Sequence, residues 1–139
     1  MVTKALTKIL NATIFNLKSM IKFTVPIEPV PFKRPNAHGK QRFNPDRYSA
    51  FKDAVALFAK QAMQGAAPFA GEVRIHADFF KPKPRRSKLV SFQGDGDNFL
   101  KAVMDALIGI CYLDDRQVTI GSFRKIFGNP HIEIELEAV

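Results

Sequence analysis

Five of the chain's 13 acidic residues lie between Asp95 and Asp115, and their types and spacing suit metal-assisted phosphate chemistry. The window reads Gly94-Asp95-Gly96-Asp97-Asn98-Phe99-Leu100-Lys101, continues to Asp105, and closes on Asp114-Asp115-Arg116. Asp97, Lys101 and Asp105 stand four residues apart and form one polar stripe on a helix. Asp95 precedes that stripe between Gly94 and Gly96, where the backbone can bend freely. Hydrolysis of a phosphodiester needs charge neutralised at the phosphate and an activated water. A hard divalent ion held by oxygen ligands supplies both. Converging carboxylates repel one another unless a cation sits among them, which makes Asp95, Asp97, Asp114 and Asp115 candidate metal ligands.

Each residue also has a plainer reading. Asp97 is a good helix N-cap, Lys101 can simply pair with Asp97 or Asp105, and Asp114-Asp115 can be ordinary turn residues. Other chemistries find no support. His38, His76 and His131 are scattered, Cys111 is the lone cysteine, and there is no glycine-rich phosphate loop or serine elbow. Zinc is therefore not expected, nor a nucleotide cofactor. Cys111 lies in an apolar run and reads as a small buried hydrophobe, compatible with a reducing compartment.

The surroundings of the acids are basic. Lys and Arg number 21, the net charge is +8 and the pI is near 9.8, a field that favours a polyanion as partner. Lys81, Lys83, Arg85, Arg86 and Lys88 cluster just before the acidic window, and Lys33, Arg34, Lys40 and Arg42 form a second basic stretch. No run reaches the ~20 apolar residues of a membrane span.

The elements that must position these residues read as one α/β domain of about 120 residues after an N-terminal extension, within the usual range for a single domain. Residues 1–19 carry only lysine charges; Leu6, Ile9, Leu10, Ile14 and Leu17 recur at roughly helical spacing, so this extension is expected to be helical or disordered. Residues 20–139 form the domain. Ile21, Phe23 and Val25 alternate as a strand stopped by Pro26, and a Pro-rich basic loop follows, with a hairpin expected around His38-Gly39. Tyr48, Phe51, Val55, Phe58 and Ala62 predict a helix starting near Pro45 and stopped by Gly65. Residues 72–80 predict a strand, 81–94 a long mobile loop, and 97–108 a helix capped by Asp97. Residues 118–127 and 132–136 predict two more strands. The sum is a mixed sheet of about four main strands with two helices against it. The second helix is roughly 18 Å long, so the chain beyond it must fold back to bring Asp114-Asp115 beside Asp95 and Asp97.

The pattern Asp-x-Asp-Asn-x-x-Lys-x-x-x-Asp-x-Leu, followed by Asp-Asp-x-Gln-Val, resembles the RusA-type Holliday-junction resolvases, common in phages and prophages. It is carried by Asp95, Asp97-Asn98, Lys101, Asp105, Leu107, Asp114-Asp115 and Gln117-Val118, and more loosely by Pro29-Val30-Pro31 through Arg34-Pro35. The resemblance covers roughly residues 20–137. It implies a homodimeric, cytoplasmic endonuclease of DNA recombination and repair that cuts paired strands of four-way junctions with Mg²⁺, or Mn²⁺ in its place. Asp95, Asp97 and Asp115 then match the family's essential carboxylates, with Asp114 sharing ligation, and Lys101 its essential lysine. Lys33, Arg34, Lys81, Lys83, Arg85, Arg86 and Lys88 would hold phosphates. Phe92 would either wedge at the branch point or pack against the core. Gly96 stands where a larger apolar residue is common. A flap- or fork-selective nuclease and a catalytically silent junction-binding protein are the alternatives.

Overall fold

Period-two alternation builds the sheet and period-3.6 apolar stripes build the helices that cover it. The computed structural model describes residues 14–17, 19–32 and 45–139. Its elements are β1 (Ile14–Leu17), β2 (Met20–Val25), α1 (Pro45–Met63), β3 (Val73–Lys81), α2 (Gly96–Leu107), a 3-10 turn (Asp115–Gln117), β4 (Val118–Phe127) and β5 (His131–Ala138). The expected α/β class, the four main strands and the two helices are all present.

The strands lie in the order β1-β2-β5-β3-β4. β3 and β4 pair in parallel and every other pair is antiparallel, so the sheet is mixed. Ile21, Phe23 and Val25 of β2, Val73, Ile75, Ala77 and Phe79 of β3, and Ile132, Ile134 and Leu136 of β5 all point to one buried face. Onto it α1 lays Phe51, Val55, Ala59 and Ala62, and α2 lays Phe99, Ala102, Val103 and Leu107. The opposite face carries the alternate residues: Arg74, His76 and Asp78 on β3 and Glu133, Glu135 and Glu137 on β5. One side dry and one side wet is the normal state of a sheet covered by a single layer of helices. α1 stops where Gln64 and Gly65 take positive φ, 51° and 78°, a left-handed end that glycine adopts without strain.

The extension needs correction at its end. Ile14–Leu17 does not continue a helix; it pairs antiparallel with β2, setting Ile14 beside Phe23 and Leu17 beside Met20. The open edge of β2 offers backbone hydrogen bonds that a lone amphipathic turn cannot match. The sheet therefore takes in residues before Met20. Leu6, Ile9 and Leu10 fall outside the described residues, as do the His38-Gly39 hairpin and Lys33, Arg34, Lys40 and Arg42.

The element that matters most for function is β3–α2–β4. The two parallel strands are joined through α2, whose N-terminus opens at the carboxyl ends of both strands. In sheets of this kind that is where ligands bind.

Candidate active site

Asp95 and Asp97 stand at this end of the sheet. The helix begins at Gly96 and Asp95 occupies the N-cap position, without a side-chain cap bond. The expected cap, Asp97, sits instead inside the first turn. The reason is local: the Asp95 carbonyl already accepts from the Asn98 and Phe99 amides, at 3.0 and 3.3 Å, and so closes the turn ahead of Asp97. The Asp97 carboxylate accepts the adjacent Asn98 amide, at 3.0 Å. Both side chains are exposed, and among the described residues no basic side chain pairs with either. Their negative charge is favoured at a helix N-terminus.

The chain is held tightly around them. Gly94 has φ +107°, and a Cβ there would lie 2.8 Å from the Phe99 ring, so only glycine turns the chain into Asp95. Lys125 of β4 donates to the Gly94 carbonyl, and the Phe32 amide donates to the Asn98 carbonyl at 2.9 Å. Between the two acids, Gly96 leaves its side-chain space to Phe123 of β4: a Cβ at Gly96 would meet that ring at 1.9 Å. The space of the absent apolar side chain is thus taken by a ring from β4.

Lys101 follows one turn after Asp97. It pairs with Asp105 at 3.8 Å, not with Asp97, and lies over the Phe32 ring at 4.9 Å. Asp105 also accepts the Tyr48 hydroxyl at 3.2 Å. Burial first, and then Asp105, push the Tyr48 hydroxyl well above its ordinary range, so it stays a donor. Lys101 is therefore aimed by Asp105 and Phe32, with its ammonium half-exposed.

The other two acids lie elsewhere. After α2 the chain turns tightly: Tyr112 donates its hydroxyl to the Met104 carbonyl at 2.6 Å, and the Gly109 amide reaches the Tyr112 carbonyl. Asp114 and Asp115 follow immediately, at the start of β4 and the C-terminal end of α2. β4 then runs back along the helix until Phe123 and Lys125 reach Gly96 and Gly94. The chain does fold back, but the acids stay at the far end. Within one protomer the two pairs stand toward opposite ends of α2, a helix roughly 18 Å long at 1.5 Å per residue. Among the described residues no three His, Cys, Asp or Glu side chains converge as a metal ion requires.

Asp114 has structural work. It caps the 3-10 turn in a reciprocal box with Gln117 and takes two side-chain hydrogen bonds from Arg116, at 3.0 and 2.8 Å. Those bonds hold its carboxyl down to about 2. Asp115 has no ion-pair partner among the described residues.

The basic loop before Asp95 divides in two. Lys81 pairs with Glu28 at 3.7 Å and lies over the Phe92 and Phe99 rings, while Lys83 lies over Phe127. Arg85, Arg86 and Lys88 are exposed. Phe92 is 5% exposed and stacks edge-on against Phe99, so it anchors the loop and does not wedge. What sequence reasoning missed is the contribution of β4, Phe123 and Lys125. Alternation along 121, 123, 125 and 127 was readable, but not which helix those positions face.

A family model described as endodeoxyribonuclease RusA matches residues 26–137, most of the chain. The chain belongs to the RusA family. As a RusA-family member it is an endodeoxyribonuclease, and the match supports Holliday-junction resolution at the level of the family. It is also 31% identical over 138 residues to the uncharacterized protein YqaN of Bacillus subtilis (strain 168), covering 86% of this chain and 96% of that one. A solved structure, the periplasmic domain of Helicobacter pylori MotB (residues 90–256), aligns with a TM-score of 0.40 and 18% identity over 90% of this chain and 78% of that one. At those values nothing rests on that likeness. Among the described residues no helix is long and apolar enough to cross a membrane.

Proposed function

We propose that this RusA-family protein is a magnesium-dependent endonuclease that resolves four-way DNA junctions as a homodimer in the cytoplasm, in recombination and repair. The observation that carries the reading is the pair Asp95–Asp97. Two exposed carboxylates, without an ion-pair partner among the described residues, flank Gly96 at the helix end where β3 and β4 finish, beside a loop bearing Arg85, Arg86 and Lys88. Mg²⁺ is commonly held by one or two carboxylates plus water and substrate phosphate, and this pair fits that donor set. When bound, the ion would neutralise the phosphate and lower the pKa of the attacking water.

The chain's own residues would do the rest. Asp95 and Asp97 hold the ion, and Mn²⁺ would serve in its place. Lys101, steadied by Asp105, meets the phosphate's charge. Lys33, Arg34, Lys81, Lys83, Arg85, Arg86 and Lys88 grip neighbouring phosphates. Asp115 does not converge with Asp95 and Asp97 in its own protomer, so a second copy related by a two-fold axis would supply it, and the two-fold junction would meet two such sites. Asp114 stays with Arg116 in this reading. A chain that remained monomeric would bind a junction without cutting it, which is the silent-binder alternative.

The test is a four-way junction incubated with the protein in Mg²⁺ and in EDTA and read on a denaturing gel, beside flap and fork substrates. Paired, symmetric incisions in the junction only with metal are expected. Cutting of the flap or fork alone, or no cutting at all, would overturn the proposal.

A further inference from the structure

The cleft beside Asp95 holds two apolar groups that the hydrolysis does not use. It measures about 590 Å³ and is lined by Val90, Asp95, Phe123 and Lys125 among others. Val90 is 98% exposed and its neighbour Leu89 is 50% exposed. Both lie at the tip of the basic loop, which is braced by the Ser87 amide donating to the Pro84 carbonyl and anchored by buried Phe92. Phe123 is 40% exposed although its ring rests on the Gly96 backbone. Solvation gives no reason to present a bare valine and part of a phenyl ring to water beside the Asp95 carboxylate. Lys125, over the Phe92 ring at 5.2 Å, adds positive charge to the same wall.

We infer that this cleft takes an unstacked nucleobase adjoining the scissile phosphate, with Phe123 as its stacking platform and Val90 as the wedge that enters the vacated step. Apolar side chains inserted between base steps unstack them, and aromatic rings receive the displaced base. The charge around the cleft fits a nucleic-acid strand: Arg85, Arg86 and Lys88 on the loop and Lys125 on the strand could follow the backbone on either side. Since Phe123 sits on Gly96 and Asp95 lines the same cleft, a base stacked on the ring would be held beside the Asp95 carboxylate. The subsite rests on the reading of Asp95–Asp97 as the cutting site, and it adds a demand: the substrate must yield a base there. Branch points, where stacking is already interrupted, yield one at less cost than continuous duplex.

The experiment uses the full chain and a four-way junction carrying 2-aminopurine either at the branch point or mid-arm, with fluorescence read in Ca²⁺ and cleavage read in Mg²⁺. Fluorescence is expected to rise on binding at the branch point only. Phe123→Ala should weaken junction binding roughly five- to 150-fold, the range for loss of one base–aromatic stack. Val90→Ser, fully exposed and so harmless to folding, should abolish the fluorescence rise and slow cleavage at saturating protein at least tenfold. A parent that binds and cuts the junction with no fluorescence change, or a Val90→Ser protein that unstacks and cuts as the parent does, overturns the subsite while leaving the nuclease intact. A parent that unstacks the branch-point base without cutting supports the subsite and rejects the nuclease.

Discussion

Asp78 shows how an acid in this chain behaves when its partners are supplied. Arg124 donates to both of its oxygens at 2.9 Å, and His76 Nε2 lies 2.8 Å away. The Arg124 bonds, against the opposing effect of burial, hold the Asp78 carboxyl below the usual carboxylate range. A depressed folded-state pKa gives stability that is complete above the ordinary value near 3.9 and is lost as pH falls through the folded value. Asp78→Asn should therefore lower the melting temperature at pH 7 by a few degrees, on the order of 1 kcal/mol for a partly screened pair. Melts repeated at pH values falling below the ordinary carboxylate range should narrow the gap between parent and variant; a gap that widened in acid would contradict the assignment. Among the described residues Asp95 and Asp97 have no such cation. Spacing alone picked out the acidic window, but it could not tell which acids have partners, because Arg116 and Asp114 are as close in sequence as Asp95 and Asp97. Only the folded turn, which points Arg116 at Asp114, separates them.

At the scale of elements, Gly96 and Phe123 join α2 to the edge strand β4. Gly96→Ala should cost about 1–3 kcal/mol by overpacking, because its Cβ would enter the Phe123 ring. Adding Phe123→Ala should remove most of that penalty in urea denaturation, and additive losses would show that the two do not touch. The loop before α2 makes its own prediction. Arg85→Glu, Arg86→Glu and Lys88→Glu together should flatten the salt dependence of junction binding by roughly 0.9 in log–log slope per lost phosphate contact. An unchanged slope would place this loop off the DNA. The main strands and both helices were legible because each alternates or repeats on one covered face. β1 was not, since its conformation is set by the open edge of β2 and not by its own periodicity. Of the two readings of Phe92 the packing one holds: the contacts of Phe99 and Phe127 claim its ring and leave Val90 outside.

For the whole molecule, the distance between the two acid pairs is the feature that sequence could not supply. Residues 114 and 115 follow α2 closely, and whether the return strand carries them back to its start depends on strand order. β4 begins at the far end, so one protomer presents half of the acids at each end of α2. A two-fold dimer that completes each site from both copies makes a clear prediction. Asp97→Asn and Asp115→Asn should each be inactive as pure proteins. Mixed after unfolding and refolding together, they should recover nicking, because one site of each mixed dimer is then intact. A mixture as silent as its components would mean that the acids act within one protomer.

The most direct measurement sets junction cleavage in Mg²⁺ beside junction affinity in EDTA for the parent, Asp95→Asn, Asp97→Asn, Asp115→Asn and Asp114→Asn. The first three variants each remove a charge that faces the phosphate without metal, so they should fold, bind as well as the parent or better, and lose cleavage by orders of magnitude. Asp114→Asn, whose carboxylate belongs to Arg116, should keep most of its cutting. Folded, tight-binding Asp95→Asn, Asp97→Asn and Asp115→Asn proteins that cut at the parental rate would contradict the assignment of these carboxylates as the catalytic centre.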